Sequence, residues 1–187
     1  PLVDAGLVPA ALPISASSIT GYSGGGKKMI EQYQAGGDPR LASPRPYGLK
    51  LAHKHLPEMA AHARLLVKPN FLPIVANFYK GLAVSVHLHS LQLAAGASAE
   101  KVHAALQERY AGERFVRVMP LSDPATLEDG FFDVQGCNDT NRVDIFVFAG
   151  EGQVLLMSRL DNLGKGASGA AVQAMNVHLG VDEGLGL

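Results

Sequence analysis

The sequence is poor in most features that would place it quickly. It has a single cysteine, Cys137, so no disulfide can form within the chain, and a reducing, cytoplasmic setting is expected. Charged residues make up 18% and the formal net charge is −1. No basic run stands out, which argues against nucleic acid as a partner. A membrane-length apolar run is missing as well. Gly81 to Ala99 carries no Asp, Glu, Lys or Arg, but His87, His89, Ser85, Ser90 and Gln92 interrupt it. The stretch alternates, so it reads as a buried strand and no membrane partner is expected. A signal peptide is not seen either: Asp4 interrupts an N-terminus without a basic region. Neither a P-loop nor a dinucleotide fingerprint occurs. What remains, 47% hydrophobic over 187 residues, fits a folded globular chain of one domain or slightly more.

The densest chemistry lies in YGLKLAHKHLPEM, Tyr47 to Met59. Pro57 opens a helical pattern, a position where the missing N–H does no harm. Met59, Ala60, Ala63 and Val67 form its apolar stripe. His53, His55 and Glu58 therefore gather at a helix start, where unpaired N–H groups and the dipole favour anions. A titratable imidazole there is a candidate for proton transfer; a pair of surface histidines is the plainer alternative.

Upstream, the strand candidate Ile14–Thr20 runs into GYSGGGKK, whose glycines let backbone approach a ligand closely. A short helix ends at Gly36 and Gly37. This loop could cradle a phosphate or be a simple tight turn. Downstream, residues 67–76 are extended, NFYKG is a turn, and Leu82 to Leu93 is the strongest strand. Its alternation puts Val84, Val86 and Leu88 on one face and Ser85, His87 and His89 on the other. Without a third ligand no metal site is assigned to the two histidines; a face shared with a neighbouring subunit is preferred. Ser98 caps a helix to Tyr110 with Gly112 beyond its end. Residues 115–119 form a short strand, and a hairpin follows at Val143–Phe148 and Val154–Leu160. A last helix from about Leu163 to Leu179 has a stripe of Leu163, Ala167, Ala170, Ala171 and Ala174. Strands joined by hairpins predominate, which predicts an α+β fold: a mostly antiparallel mixed sheet with helices on one face.

Five blocks, GYSGGGKK, YGLKLAHKHLPEM, NFYKGL, CNDTNRVDIFVF and DNLGKGASGAAVQAMN, occur in one order. Together they resemble the N-acetyl-gamma-glutamyl-phosphate reductases of arginine biosynthesis, in their shorter form, over nearly the whole chain. The resemblance implies the C-terminal catalytic and oligomerisation domain of a fold like that of glyceraldehyde-3-phosphate dehydrogenase. It also implies NADPH-dependent reduction of an acyl phosphate to the semialdehyde. Residues 1–162 would be that domain. Residues 163–187 would pack on an N-terminal nucleotide-binding domain that also holds most of the NADP. The chain opens on PLVDAGL, which is similar to the end of the family's nucleophile helix, so a fragment lacking the nucleophilic cysteine, and inactive alone, is expected.

Residue by residue, the resemblance makes His53 the catalytic acid/base. Tyr47, His55, Glu58 and Lys80 would line the substrate pocket. Lys80 stands where many members have arginine, and a lysine lacks the bidentate geometry for phosphate. Ser23, Gly24, Gly25, Gly26 and Asn162 would face the cofactor. The substrate would be a small acyl phosphate, and a homo-oligomer would form through the sheet. Alternatives are a related aspartate-semialdehyde or lysine-pathway reductase, or a non-catalytic module that holds a small anion.

Overall fold

Alternating apolar residues set the frame of the molecule. The computed structural model describes residues 1–187. Seven strands form one sheet: β1 (Ser15–Gly21), β2 (Arg45–Pro46), β3 (Asn70–Ala76), β4 (Leu82–His89), β5 (Val116–Val118), β6 (Val143–Gly150) and β7 (Gln153–Leu160). Their order is β2-β3-β1-β4-β7-β6-β5. β1 runs parallel to β3 and β5 to β6; the other four pairings are antiparallel. The fold is thus the mostly antiparallel α+β arrangement expected.

Hairpins contribute less than the sequence suggests. Only β6 and β7 are joined by a tight turn, at Glu151-Gly152, where Gly152 takes φ 68°. β3 and β4 are consecutive but not paired, because β1 inserts between them. The intervening turn instead bonds to the end of β1, with Gly21 N–H donating to the Gly81 carbonyl at 2.9 Å.

The sheet's two faces differ. One carries Val84, Val86 and Leu88 and packs under α1 (Lys27–Ala35) and α3 (Ala99–Tyr110). Its core joins Leu88, Val147 and Val154 to Val102 and Leu106 of α3 and to Leu2 and Val8. Each such side chain contributes about 1.5–3 kcal/mol by leaving water. Ser98 caps α3 by accepting from Lys101 N–H at 3.3 Å, and Gly112, at φ 83°, follows its end. The opposite face is covered only in part. Phe132 packs edge-on against Phe146 at 4.9 Å. Towards β1, Ser17, Ser85, His87 and His89 lie on the uncovered part, with the two serine hydroxyls 2.7 Å apart.

Three expectations need correction. β4 ends at His89, four residues early, because the chain turns at Ser90–Gln92 under a cap from His89 and Gln92. The helix after Tyr47, α2 (Leu56–Ala63), buries Leu56, while Ala63 and Val67 of its apolar stripe are exposed. The last helix starts as a wide π-turn at Gly164–Ser168 before α4 (Gly169–Leu179). A Cβ on Gly164 would stand 3.1 Å from the Thr140 carbonyl, so glycine permits this close entry. Ala167, Ala171 and Ala174 of its stripe are exposed. No helix is long and apolar enough to cross a membrane.

Candidate active site

His53 sits at the sheet edge, just before α2. β2 continues into Tyr47, whose N–H donates to the Pro73 carbonyl at 3.0 Å. The His53 ring rests edge-on against Phe71 of β3, 5.3 Å between centroids, with Tyr47 at 5.9 Å and His55 at 5.2 Å. The His55 N–H donates to His53 Nδ1 at 3.3 Å. With Nδ1 accepting, neutral His53 carries its proton on Nε2 and donates there; Nε2 becomes an acceptor only in the other tautomer, which releases the His55 N–H. Partial burial pushes the His53 pKa down from its ordinary 6.5, and the charges of His55 and Lys54 add to this. Neutral His53 therefore dominates at pH 7. His55 Nδ1 meets Glu58 Oε2 at 2.7 Å, although both side chains are largely exposed. The Tyr47 phenol pKa is raised by burial.

The helix start offers less to an anion than the sequence implies. The Leu56 N–H is taken by the His53 carbonyl at 3.1 Å, Pro57 has none, and that of His55 is used on His53. What this cluster offers a ligand comes from its side chains.

Ser23 and Asn162, 139 residues apart, are brought together at the other end of β1. Asn162 Nδ2 donates to Ser23 Oγ at 3.0 Å, and Asn162 Oδ1 accepts from Gly81 N–H at 2.7 Å. Both ends of the amide are thus held, and Ser23 is buried. Tyr22 stacks on Tyr33 of α1 at 4.5 Å and anchors the turn. Gly24, Gly25 and Gly26 are exposed, and nothing lies within 4 Å of the Gly26 position where a side chain would start. Next to this junction, Lys80 pairs with Asp139 and, at 3.4 Å, with Asp161.

These residues form two groups. His53 leans on Phe71, which pairs with Ala16, whereas the glycine turn leaves β1 at Gly21, opposite Ala76. Five residues of strand, roughly 17 Å at about 3.3 Å each, separate the two anchor points. No hydrogen bond or ring contact links the groups.

One cluster was not read from the sequence. Asp144, fully buried in β6, accepts from Arg117 and Arg142 at 2.8 Å and from Arg159 at 3.2 Å. Burial alone would raise its pKa, but hydrogen bonds from Arg117, Arg142 and the Cys137 thiol bring it down to about 2. Cys137 is buried beside it, and burial, with Asp144, pushes that thiol's pKa up. It is therefore a poor nucleophile. The available signal was a lone carboxylate inside VDIFVF: a buried charge has to be paired. On the open face, His87 and His89 have no third His, Cys, Asp or Glu gathered near them.

Known proteins match this architecture. The pattern of the family described as semialdehyde dehydrogenase, dimerisation domain, matches residues 1–162. The chain belongs to this family. A Nostoc protein named N-acetyl-gamma-glutamyl-phosphate reductase 2 is 43% identical over the whole chain. A Brucella ovis protein named N-acetyl-gamma-glutamyl-phosphate reductase is 46% identical over 96% of it. The chain spans 61% and 59% of their respective lengths. Among solved structures, aspartate semialdehyde dehydrogenase from Francisella tularensis superposes with a TM-score of 0.65 at 12% identity. It covers 94% of this chain and 59% of its own. The Vibrio cholerae aspartate semialdehyde dehydrogenase II complexed with ASA gives 0.62 at 17%, over 90% and 55%. At these identities the structural likeness shows the fold alone, that of a semialdehyde dehydrogenase C-terminal domain.

Proposed function

We propose that this semialdehyde dehydrogenase dimerisation domain is the catalytic and dimerisation part of an N-acetyl-gamma-glutamyl-phosphate reductase. The whole protein would reduce an acyl phosphate to the semialdehyde, with NADPH, in arginine biosynthesis. The observation that carries this reading is 43% identity, across the entire chain, to a protein of that name. His53 then serves as the acid/base. Its Nε2 accepts a proton in the tautomer that carries the ring proton on Nδ1, which gives up the 3.3 Å contact from the His55 N–H, and its lowered pKa keeps the ring neutral near pH 7. Tyr47, His55 and Glu58 hold the imidazole and shape its surroundings.

The exposed glycine edge at Gly24–Gly26, beside a fixed Asn162 amide, suits the approach of a flat ring. Bound there, a nicotinamide supplies the hydride. The chain has no fingerprint for a pyrophosphate, and Cys137 does not fit the nucleophile. The proposal assigns the thiol and the main NADP site to the part of the relatives' length that this chain does not span. The exposed residues of the last helix's stripe, Ala167, Ala171 and Ala174, are assigned to contact with that nucleotide-binding part, and the open sheet face at Ser85, His87 and His89 to the dimer. A monomer at micromolar concentration with that face wet would contradict the last assignment.

The test is NADPH oxidation by the full-length protein with N-acetyl-glutamyl phosphate and aspartyl phosphate offered separately. The proposal expects turnover of the former and little of the latter. Preference for aspartyl phosphate, or none for either, would overturn it. Residues 1–187 alone are expected to be inactive, and Cys137→Ser should change nothing.

A further inference from the structure

Lys80 faces a surface cleft of about 340 Å³ that Asp139, Asn141, Asp161 and Ser168 also line. A lysine beside such a cleft invites a phosphate, but the local charge opposes it. One ammonium faces two carboxylates, so the group is net −1 when all three are ionised. Asp161 is almost fully buried and also accepts from the N–H groups of Asp139, Leu163 and Gly164, at 2.9, 2.8 and 3.1 Å. The Lys80 carbonyl accepts from Asn138 Nδ2 at 2.9 Å and from Gln135 Nε2 at 3.3 Å. Three loops therefore converge on this residue: the 77–81 turn, the 133–141 loop and the entry to α4. Its neighbour Gly81 donates to Asn162 Oδ1, and Asp161 is bonded directly to Asn162 in sequence.

We propose that Lys80 is a positioning residue, a latch between the 77–81 turn and Asp161. Through it the Asn162 amide is held in one pose against Ser23 and Gly81. Lys80 then acts through Asn162 and does not touch the phosphate of a substrate. The kinetic part of this inference rests on the reductase reading; the structural part does not.

The two roles predict opposite responses to removal of a carboxylate. If Lys80 bound phosphate, neutralising Asp139 would free its charge and tighten phosphate binding. If Lys80 is a latch, Asp139→Asn weakens the same junction that Lys80→Met breaks. Both variants should fold, because Asp161 keeps its three backbone donors.

The experiment uses the full-length protein and its Lys80→Met, Asp139→Asn and Asp161→Asn variants. It reads hydrogen exchange at the Gly81 amide, the KM for the nicotinamide cofactor, and inhibition by inorganic phosphate. The latch predicts faster Gly81 exchange in all three. It predicts a cofactor kcat/KM loss of up to about 10²-fold in Lys80→Met, the scale of a misplacement of about 1 Å. Phosphate inhibition should stay within about twofold of wild type. Phosphate inhibition lost in Lys80→Met but strengthened in Asp139→Asn, with Gly81 exchange unchanged, overturns the proposal. If the wild type reduces no acyl phosphate, the reductase reading fails. Gly81 exchange then decides the latch alone: faster in Lys80→Met supports it, unchanged overturns it.

Discussion

The His53 ledge and the Ser23–Asn162 junction are built in different ways. The ledge is local. Tyr47, His53, His55 and Glu58 come from twelve consecutive residues, 47–58, and the Tyr47 N–H bond to Pro73 and the His53 ring contact with Phe71 join them to the sheet. The junction is assembled from loops up to 139 residues apart and held by directed hydrogen bonds. An imidazole that exchanges protons needs one free nitrogen and some contact with water. An amide that fixes a ligand's pose needs every other bond settled. The ledge should therefore be sensitive in rate and tolerant in stability, and the junction sensitive in both.

The largest expected effect is on rate. In the full-length protein, His53→Ala should lower turnover by roughly 10²–10⁴-fold, the usual size of a general acid/base contribution. Its stability should change by less than about 1.5 kcal/mol, since only ring contacts and one exposed 3.3 Å hydrogen bond from the His55 N–H are lost. Steady-state kinetics and denaturant melts on one preparation check both. A large stability loss would erase the contrast between the two regions.

Asn162→Ala should act the other way on stability. It strips a partner from buried Ser23 and from the Gly81 N–H, and unpaired buried groups cost about 1–3 kcal/mol. A melt indistinguishable from wild type would mean that the junction is not held as described.

Acid sharpens the comparison further. Hydrogen bonds to Asp161 hold its carboxyl below the ordinary 3.8 although burial opposes them. A carboxyl depressed in the fold adds stability above the unfolded value, and that stability is lost as pH falls through the folded value. Asp144, at about 2, behaves in the same way. Stability should therefore hold down to about pH 4 and then fall. In Asp161→Asn that fall should be shallower, which equilibrium unfolding at stepped pH would register.

The smallest effect concerns His55. His55→Ala should cost less turnover than His53→Ala. It also removes one charge that pushes the His53 pKa down, so the acid limb of the rate profile should move up. Equal losses at both positions would mean that the acid/base role is misassigned.

Local features were legible in the sequence. The period-2 run from Leu82, read four residues too long, the Ser98 cap and the hairpin turn read at Ala149–Gly152 are set by neighbours in the chain, so the chain displays them. The His53 cluster was legible for the same reason. The resemblance put Ser23 and Asn162 each near the cofactor but did not pair them, because nothing in either block alone points to the other; the structure joins them. Asp144 was missed since two of its partners, Arg117 and Arg159, are brought to it only by the β5-β6-β7 register, and Arg142, two residues before it, gives no signal alone. The stripe of α2, exposed at Ala63 and Val67, shows the opposite error: a helical period was present, but the helix lies at the sheet edge with little to bury against.

The most direct test of the two-part account is the pH dependence of kcat/KM for N-acetyl-glutamyl phosphate. It is measured on the full-length protein and on its His53→Ala and Asn162→Ala variants. The account predicts a wild-type acid limb below pH 6.5 that His53→Ala abolishes and Asn162→Ala leaves in place, with the cofactor KM raised. A limb that survives in His53→Ala, or one that Asn162→Ala removes, would contradict it.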